Sequence, residues 1–126
     1  TMNSALLLVF IGGGTGSVIR YLIGREFNPP QSISLPIGTL MINLLGSFII
    51  GILWGISEKT SSQNSSIQLL LVTGFCGGFT TFSAFSQESL TFIKTGNWNN
   101  AIVYISCTLI AGIFLTATGF KIANNL

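Results

Sequence analysis

Apolar residues run along this chain in four long blocks separated by short polar stretches. The first covers about residues 5–23 and gives way to Arg25-Glu26-Phe27-Asn28-Pro29-Pro30-Gln31-Ser32, where the paired prolines mark a loop. The second, about residues 35–56, is closed by Glu58-Lys59-Thr60-Ser61-Ser62-Gln63-Asn64-Ser65-Ser66, which holds no apolar residue. The third spans about residues 67–92. The fourth, about residues 101–123, follows Lys94-Thr95-Gly96-Asn97-Trp98-Asn99-Asn100, whose tryptophan suits a membrane interface. Each block matches the roughly 20 apolar residues that a helix needs to cross hydrocarbon. The pattern therefore predicts an all-α membrane protein, one domain over residues 1–126 with four transmembrane helices embedded in a lipid bilayer. The middle of the third block, Gly74-Phe75-Cys76-Gly77-Gly78-Phe79-Thr80-Thr81-Phe82-Ser83, is too rich in glycine and hydroxyls for a regular span, so a broken helix is expected there. Carbonyls freed at such a break are tolerated only where protein, water or an ion satisfies them, and a cation would do so.

Composition sharpens this picture. The 126 residues are 48% hydrophobic and 6% charged, with a mean hydropathy of +0.72, whereas a soluble domain needs about a quarter charged residues. The net charge of +2 comes from Arg20, Arg25, Lys59, Lys94 and Lys121, which form no basic patch, so no nucleic acid partner is implied. Cys76 and Cys107 lie in apolar runs and read as small buried thiols rather than a disulfide framework. The first block lacks a basic leading segment and a small-residue cleavage site, so it is expected to be retained as a span, with Thr1 ahead of Met2 an added residue. Enzyme chemistry finds no footing. Histidine is absent and the only carboxylates are Glu26, Glu58 and Glu88, the first two expected as solvated loop residues, so neither a metal triad nor an acid/base pair assembles. Gly12-Gly13-Gly14-Thr15-Gly16 follows an apolar run, but its third glycine is displaced from the dinucleotide-binding spacing and no βαβ unit follows.

Lysines and arginines near helix ends normally set orientation in the membrane. Here Lys59 and Lys121 share one side with the N-terminus, against Arg20, Arg25 and Lys94 on the other. A tally so near a tie is compatible with insertion both ways and an antiparallel homodimer, or with a single orientation weakly signalled.

Polar residues within apolar spans must find partners or line water. Thr39, Asn43 and Ser47 recur every fourth residue and stack on one face of the second helix, either as a polar track or as interhelical glue. Tyr104, Thr108 and Thr116 form a weaker stripe on the fourth. Gly12 with Gly16, Gly51 with Gly55, and Gly74 with Gly78 are small-xxx-small pairs that let helices approach closely. Past the break, Phe82 and Phe85 fall three residues apart, after Phe75 and Phe79. Aromatic edges carry partial positive charge, so two such rings can attract an anion, although core packing is the plainer reading of a phenylalanine pair.

The run from Gly74 to Glu88, together with Gly12-Gly13-Gly14-Thr15-Gly16-Ser17-Val18-Ile19-Arg20-Tyr21 and Gly38-Thr39-Leu40-Met41-Ile42-Asn43-Leu44-Leu45-Gly46-Ser47, closely resembles the Fluc (CrcB-type) fluoride channels of bacterial inner membranes. The resemblance covers essentially the whole chain and is weakest in the fourth helix. It implies an antiparallel, dual-topology homodimer, with fluoride crossing two pores lined by both subunits. It further implies that Asn43 coordinates fluoride, that Phe82 and Phe85 flank the pathway, and that Tyr104 with Thr108 continues a polar track. Thr81, Ser83 and Glu88 are further pathway candidates by the same resemblance, and Arg20 would stand at a vestibule. A structural sodium ion on the dimer axis would be held by the backbone carbonyls of Gly77 and Thr80 from each chain. Passive outflow would then lower cytoplasmic fluoride. The competing expectation is a small four-helix proton-coupled multidrug exporter, a class that depends on a carboxylate in the first membrane helix; this chain has none there. A packing or assembly subunit would account for the glycines but not for the Asn43 stripe or the break.

Overall fold

The computed structural model describes residues 1–29, 34–60 and 65–126. It is all-helical, with four segments long and apolar enough to cross a membrane: Met2–Phe27, Ile37–Thr60, Gln68–Lys94 and Trp98–Asn125. The first, second and fourth are the continuous helices α1 (Met2–Phe27), α2 (Ile37–Thr60) and α6 (Trp98–Asn125). The third is composite. A short α3 (Ser65–Ile67) runs into a π-helical stretch, Gln68–Cys76, followed by α4 (Gly77–Phe79), two extended residues, and α5 (Phe82–Lys94). The chain thus breaks at Thr80 and Thr81, just past the paired glycines, with φ/ψ of −81°/154° and −147°/115°.

The helices outrun the apolar blocks that predicted them. Residues 25–27, expected in a loop, complete α1, where Arg25 pairs with Glu26 at 3.1 Å. Glu58, Lys59 and Thr60 likewise extend α2, and Glu58 accepts a hydrogen bond from Trp54 Nε1 at 3.1 Å, one turn back. Hydropathy marks only the part of a helix that lies in hydrocarbon, while backbone hydrogen bonding carries it on into the polar layer. What stops α1 is Pro29, which forces Asn28 into extended conformation (φ −81°, ψ 134°). Of the first two expected loops, residues 30–33 and 61–64 lie outside the described residues. Between α5 and α6 the chain reverses within Thr95-Gly96-Asn97, where Gly96 takes φ +75° and Asn97 caps α6 by accepting from the Asn100 N–H at 3.3 Å.

Two glycine seams hold the bundle. α1 lies on the π-helical stretch and α4, with Gly12 and Gly16 pressed against the Leu70 and Phe75 carbonyls and Gly78 against the Gly13 backbone. α2 lies on α6, with Gly51 against Thr116, Gly55 against Phe120, and Gly119 against Phe48 and Ile52. A β-carbon at any of these positions would strike a neighbouring backbone, so all three small-xxx-small pairs read from the sequence sit at helix contacts. Phe85, Phe92, Ala101 and Tyr104 form a small core between α5 and α6.

Candidate functional site at the helix break

Where the third span breaks, backbone hydrogen bonds that an unbroken helix would make pass to side chains. An unbroken helix would give the Thr81 N–H to the Gly77 carbonyl. Asn43, reaching across from α2, takes it instead: Asn43 Oδ1 accepts from Thr81 N at 2.8 Å, and Asn43 Nδ2 donates to the Thr81 carbonyl at 3.1 Å. This two-point clasp fixes the orientation of the amide, because only oxygen can face a backbone N–H. The Ala84 N–H, which would have served the Thr80 carbonyl, goes to Thr81 Oγ1 at 3.2 Å, so that Thr81 caps α5. Gly78 is served from α1, its carbonyl accepting from Arg20 Nε at 2.9 Å and from Ser17 Oγ at 3.4 Å. Gly77 and Thr80 are therefore the positions whose helical donors have been taken by other groups. Gly77 is exposed, and a β-carbon there would meet only the Val72 carbonyl, at 4.0 Å.

Beside the clasp, a groove of about 290 Å³ opens between α2, α5 and α6, lined by Asn43, Ser47, Thr80, Thr81, Phe82, Phe85 and Thr108 among others. Its two rings differ. Phe85 is 7% exposed and packs on Tyr104 (centroids 5.4 Å apart), whereas Phe82, 77% exposed, leans on Phe85 (5.7 Å) from the free end of α5. The groove hydroxyls are largely committed. Ser47 donates to the Asn43 carbonyl (2.7 Å), Thr108 to that of Tyr104 (2.7 Å) and Thr80 to that of Cys76 (2.8 Å), so each turns lone pairs outward. Donor capacity remains on the second Asn43 Nδ2 hydrogen and on the Thr81 and Ser83 hydroxyls, which lie 3.3 Å apart and need only one proton between them. A further hollow of about 520 Å³ along α6 is lined by Ser47, Thr108 and Thr116, while Tyr104, 1% exposed, turns away from that stripe into the aromatic core.

Behind Phe85 lies a second polar cluster. Glu88 accepts from Tyr104 Oη at 2.6 Å on one carboxylate oxygen and from Thr39 Oγ1 at 2.8 Å on the other. Thr39 is in turn held by Asn28, which sequence reasoning did not single out; a cap aimed across a loop leaves no local pattern.

The matched residues of the CrcB-like protein family, also described as Camphor Resistance (CrcB), run from 7 to 120 and so include every element of this site. The chain belongs to the CrcB-like family. Among curated relatives, a protein named fluoride-specific ion channel FluC from Leptospira interrogans is 41% identical over 123 residues, covering 98% of this chain and 97% of its own. A protein of the same name from Escherichia coli K12 is 42% identical over 119 residues, covering 94% and 93%. With its four apolar helices, this CrcB-like chain is a multi-pass membrane protein.

Proposed function

We propose that the chain is one subunit of a fluoride-selective channel through which fluoride leaves the cell passively. Full-length similarity to proteins named as fluoride-specific channels supports the ion and the activity. The observation that carries the reading physically is the groove at the break, where neutral donors stand at membrane depth with no lysine or arginine lining it. A small hard anion loses on the order of tens of kcal/mol of hydration on entering a dry, low-dielectric medium, so donors must replace its shell. Asn43 has an uncommitted amide hydrogen there, Thr81 shares a hydroxyl proton with Ser83 beside the groove, and the edges of Phe82 and Phe85 add weak positive charge. Donors without a fixed cation let an ion bind and still leave.

A second copy completes the pathway in this reading. Thr73, Gly77, Ser83, Ser86 and Gln87 are exposed along the third span, and lipid tails cannot satisfy them. An antiparallel homodimer, consistent with the near-tied charge tally, would cover that face and close the groove from the other side. The carbonyls of Gly77 and Thr80 fit a resident sodium ion between the copies, since both have lost their helical donors and Gly77 faces outward. Such an ion would supply positive field and satisfy those oxygens. Arg20, bound through Nε to the Gly78 carbonyl, would lend its positive charge to a vestibule in this reading.

The test is fluoride-electrode efflux from liposomes holding the purified protein, with chloride as the comparison ion. Rapid fluoride release with chloride retained is expected, and Asn43→Asp, which sets a carboxylate oxygen against the Thr81 carbonyl, should abolish it. Equal release of both ions, or none, would overturn the reading.

A further inference from the structure

Glu88 is gripped from two sides, and the direction of one grip is decided by a residue outside the membrane spans. Tyr104 has one hydroxyl hydrogen and gives it to Glu88 Oε2. Thr39 Oγ1 lies 2.8 Å from Glu88 Oε1, but a hydroxyl there has a choice: it can turn its single hydrogen to Glu88 or rotate to another acceptor. Asn28 removes the choice. Its Oδ1 accepts from the Thr39 backbone N–H at 3.0 Å, which fixes the flip of the amide, and its Nδ2 therefore points a hydrogen at Thr39 Oγ1 from 3.1 Å. With one lone pair occupied by that donor, the Thr39 hydrogen is directed to the carboxylate. Asn28 is placed for this by the fold: Pro29 holds it extended at the end of α1, and Gly38 leaves the space it occupies. A β-carbon on Gly38 would stand 2.7 Å from Asn28 Oδ1 and 3.0 Å from its Cγ. Glycine is disfavoured inside a helix, and here the close approach of the amide requires it.

We propose that Asn28 is a positioning residue for ion passage: it orients the Thr39 hydroxyl so that Glu88 is held by both α2 and α6 behind the ring of Phe85. The inference rests on the fluoride-channel reading. It distinguishes two jobs that one amide performs, capping α2 through Oδ1 and orienting Thr39 through Nδ2. Asn28→Asp separates them, since the cap acceptor is kept while the donor becomes an acceptor that competes with Glu88 for the Thr39 hydrogen. Losing one charge-assisted hydrogen bond corresponds to a change of roughly tenfold or more.

The experiment is fluoride efflux from liposomes with four proteins: the parent, Asn28→Asp, Thr39→Val and the double variant. Asn28→Asp is expected to slow efflux about tenfold. In the Thr39→Val background, which has no hydroxyl to orient but retains the capped backbone N–H, the same change is expected to have no further effect. A purely capping role, or simple repulsion by the added charge, would survive in that background, so equal slowing in both backgrounds overturns the inference, as does unchanged efflux in the single variant. Should Asn28→Asp not fold, Asn28→Ser, another good helix cap too short to make both bonds, carries the same two expectations. A parent protein that moves no fluoride defeats the functional reading and the transport role of Asn28 together; normal parent efflux with an indifferent Asn28 defeats only the latter.

Discussion

The two sides of the third span are built on opposite principles. Toward α1, the π-helical stretch and α4 meet their neighbour backbone to backbone, a contact that only the missing side chains of glycine permit. Toward α2 and α6, the break and α5 add amide and hydroxyl hydrogen bonds to the ring contacts of Phe85 and Phe92 with Tyr104. One face is a matter of shape, and the other depends also on donors. In lipid, where hydrophobic association between helices is lost, close packing carries the first face. Specific polar pairing can then be reserved for the second, where an ion needs it.

The sharpest way to break the contrast is to add volume to the glycine face. Gly78→Val would place its β-carbon against the Gly13 backbone, with the Cα and carbonyl carbon at 3.0 Å. Overpacking typically costs about 1–3 kcal/mol where side chains can yield, and a backbone cannot rotate aside, so the loss should reach or exceed the top of that range. The expected result is little protein eluting as a single species in detergent. Gly112→Ala provides the contrast, because its β-carbon would meet only Ser47 Oγ, at an ordinary 3.5 Å. That variant should unfold at the same temperature as the parent or slightly above it, and a fall comparable to that of Gly78→Val would erase the distinction between packed and unpacked glycines.

Among the described residues, Arg20 is the charged side chain that serves the packed face. It crosses from α1 to the Gly78 carbonyl, and Ser17 supports it at longer range. Arg20→Met keeps the aliphatic stem and removes the donor, leaving the carbonyl with only the weaker contact. A hydrogen bond from a charged donor contributes about 1.5–3 kcal/mol and Ser17 replaces only part of it, so a lowered unfolding midpoint in detergent is expected, with a smaller drop than for Gly78→Val. Fluoride efflux from the same preparation would show whether the residue serves only the fold: a variant with normal stability and slow efflux would move Arg20 from the packed side to the donor side.

How far the sequence alone reaches follows the same division. Hydropathy found the four spans, glycine spacing found the seams, and the run around Gly77 and Gly78 located the break, because each is a property of neighbours along one helix. The stripe of Thr39, Asn43 and Ser47 was equally visible as a face, but not what stands opposite it. Asn43 meets the Thr81 backbone, Arg20 the Gly78 carbonyl, and Thr39 the Glu88 carboxylate, and these partners are separated by 38, 58 and 49 residues. Periodicity says which way a side chain points and nothing about its acceptor. The π-helical turns of Gln68–Cys76 had no local signature, since their residues have the same apolar composition as an α-helical span. The polar stripe on α6 divided for a related reason: Tyr104 found a buried acceptor in Glu88 and left the face kept by Thr108 and Thr116.

The smallest effect expected lies where the two principles overlap, on the seam between α2 and α6. Thr116 Oγ1 is within hydrogen-bond reach of two carbonyls, Ser47 at 3.1 Å and Gly112 at 3.0 Å, while Gly51 brings the backbones together at the same level. The bond across the seam is thus added to a contact that shape already secures. Thr116→Val is nearly isosteric and removes the hydroxyl. Interhelical hydrogen bonds in membrane proteins average about 0.6 kcal/mol, and the Ser47 carbonyl can keep its own helical donor after the change. The unfolding midpoint should therefore move only slightly, and fluoride efflux should stay within about twofold of the parent. A loss of efflux as deep as that expected for Asn43→Asp, with the midpoint unmoved, would show that the hollow of about 520 Å³ beside Thr116 belongs to the ion's route and that donor chemistry extends the whole length of α6.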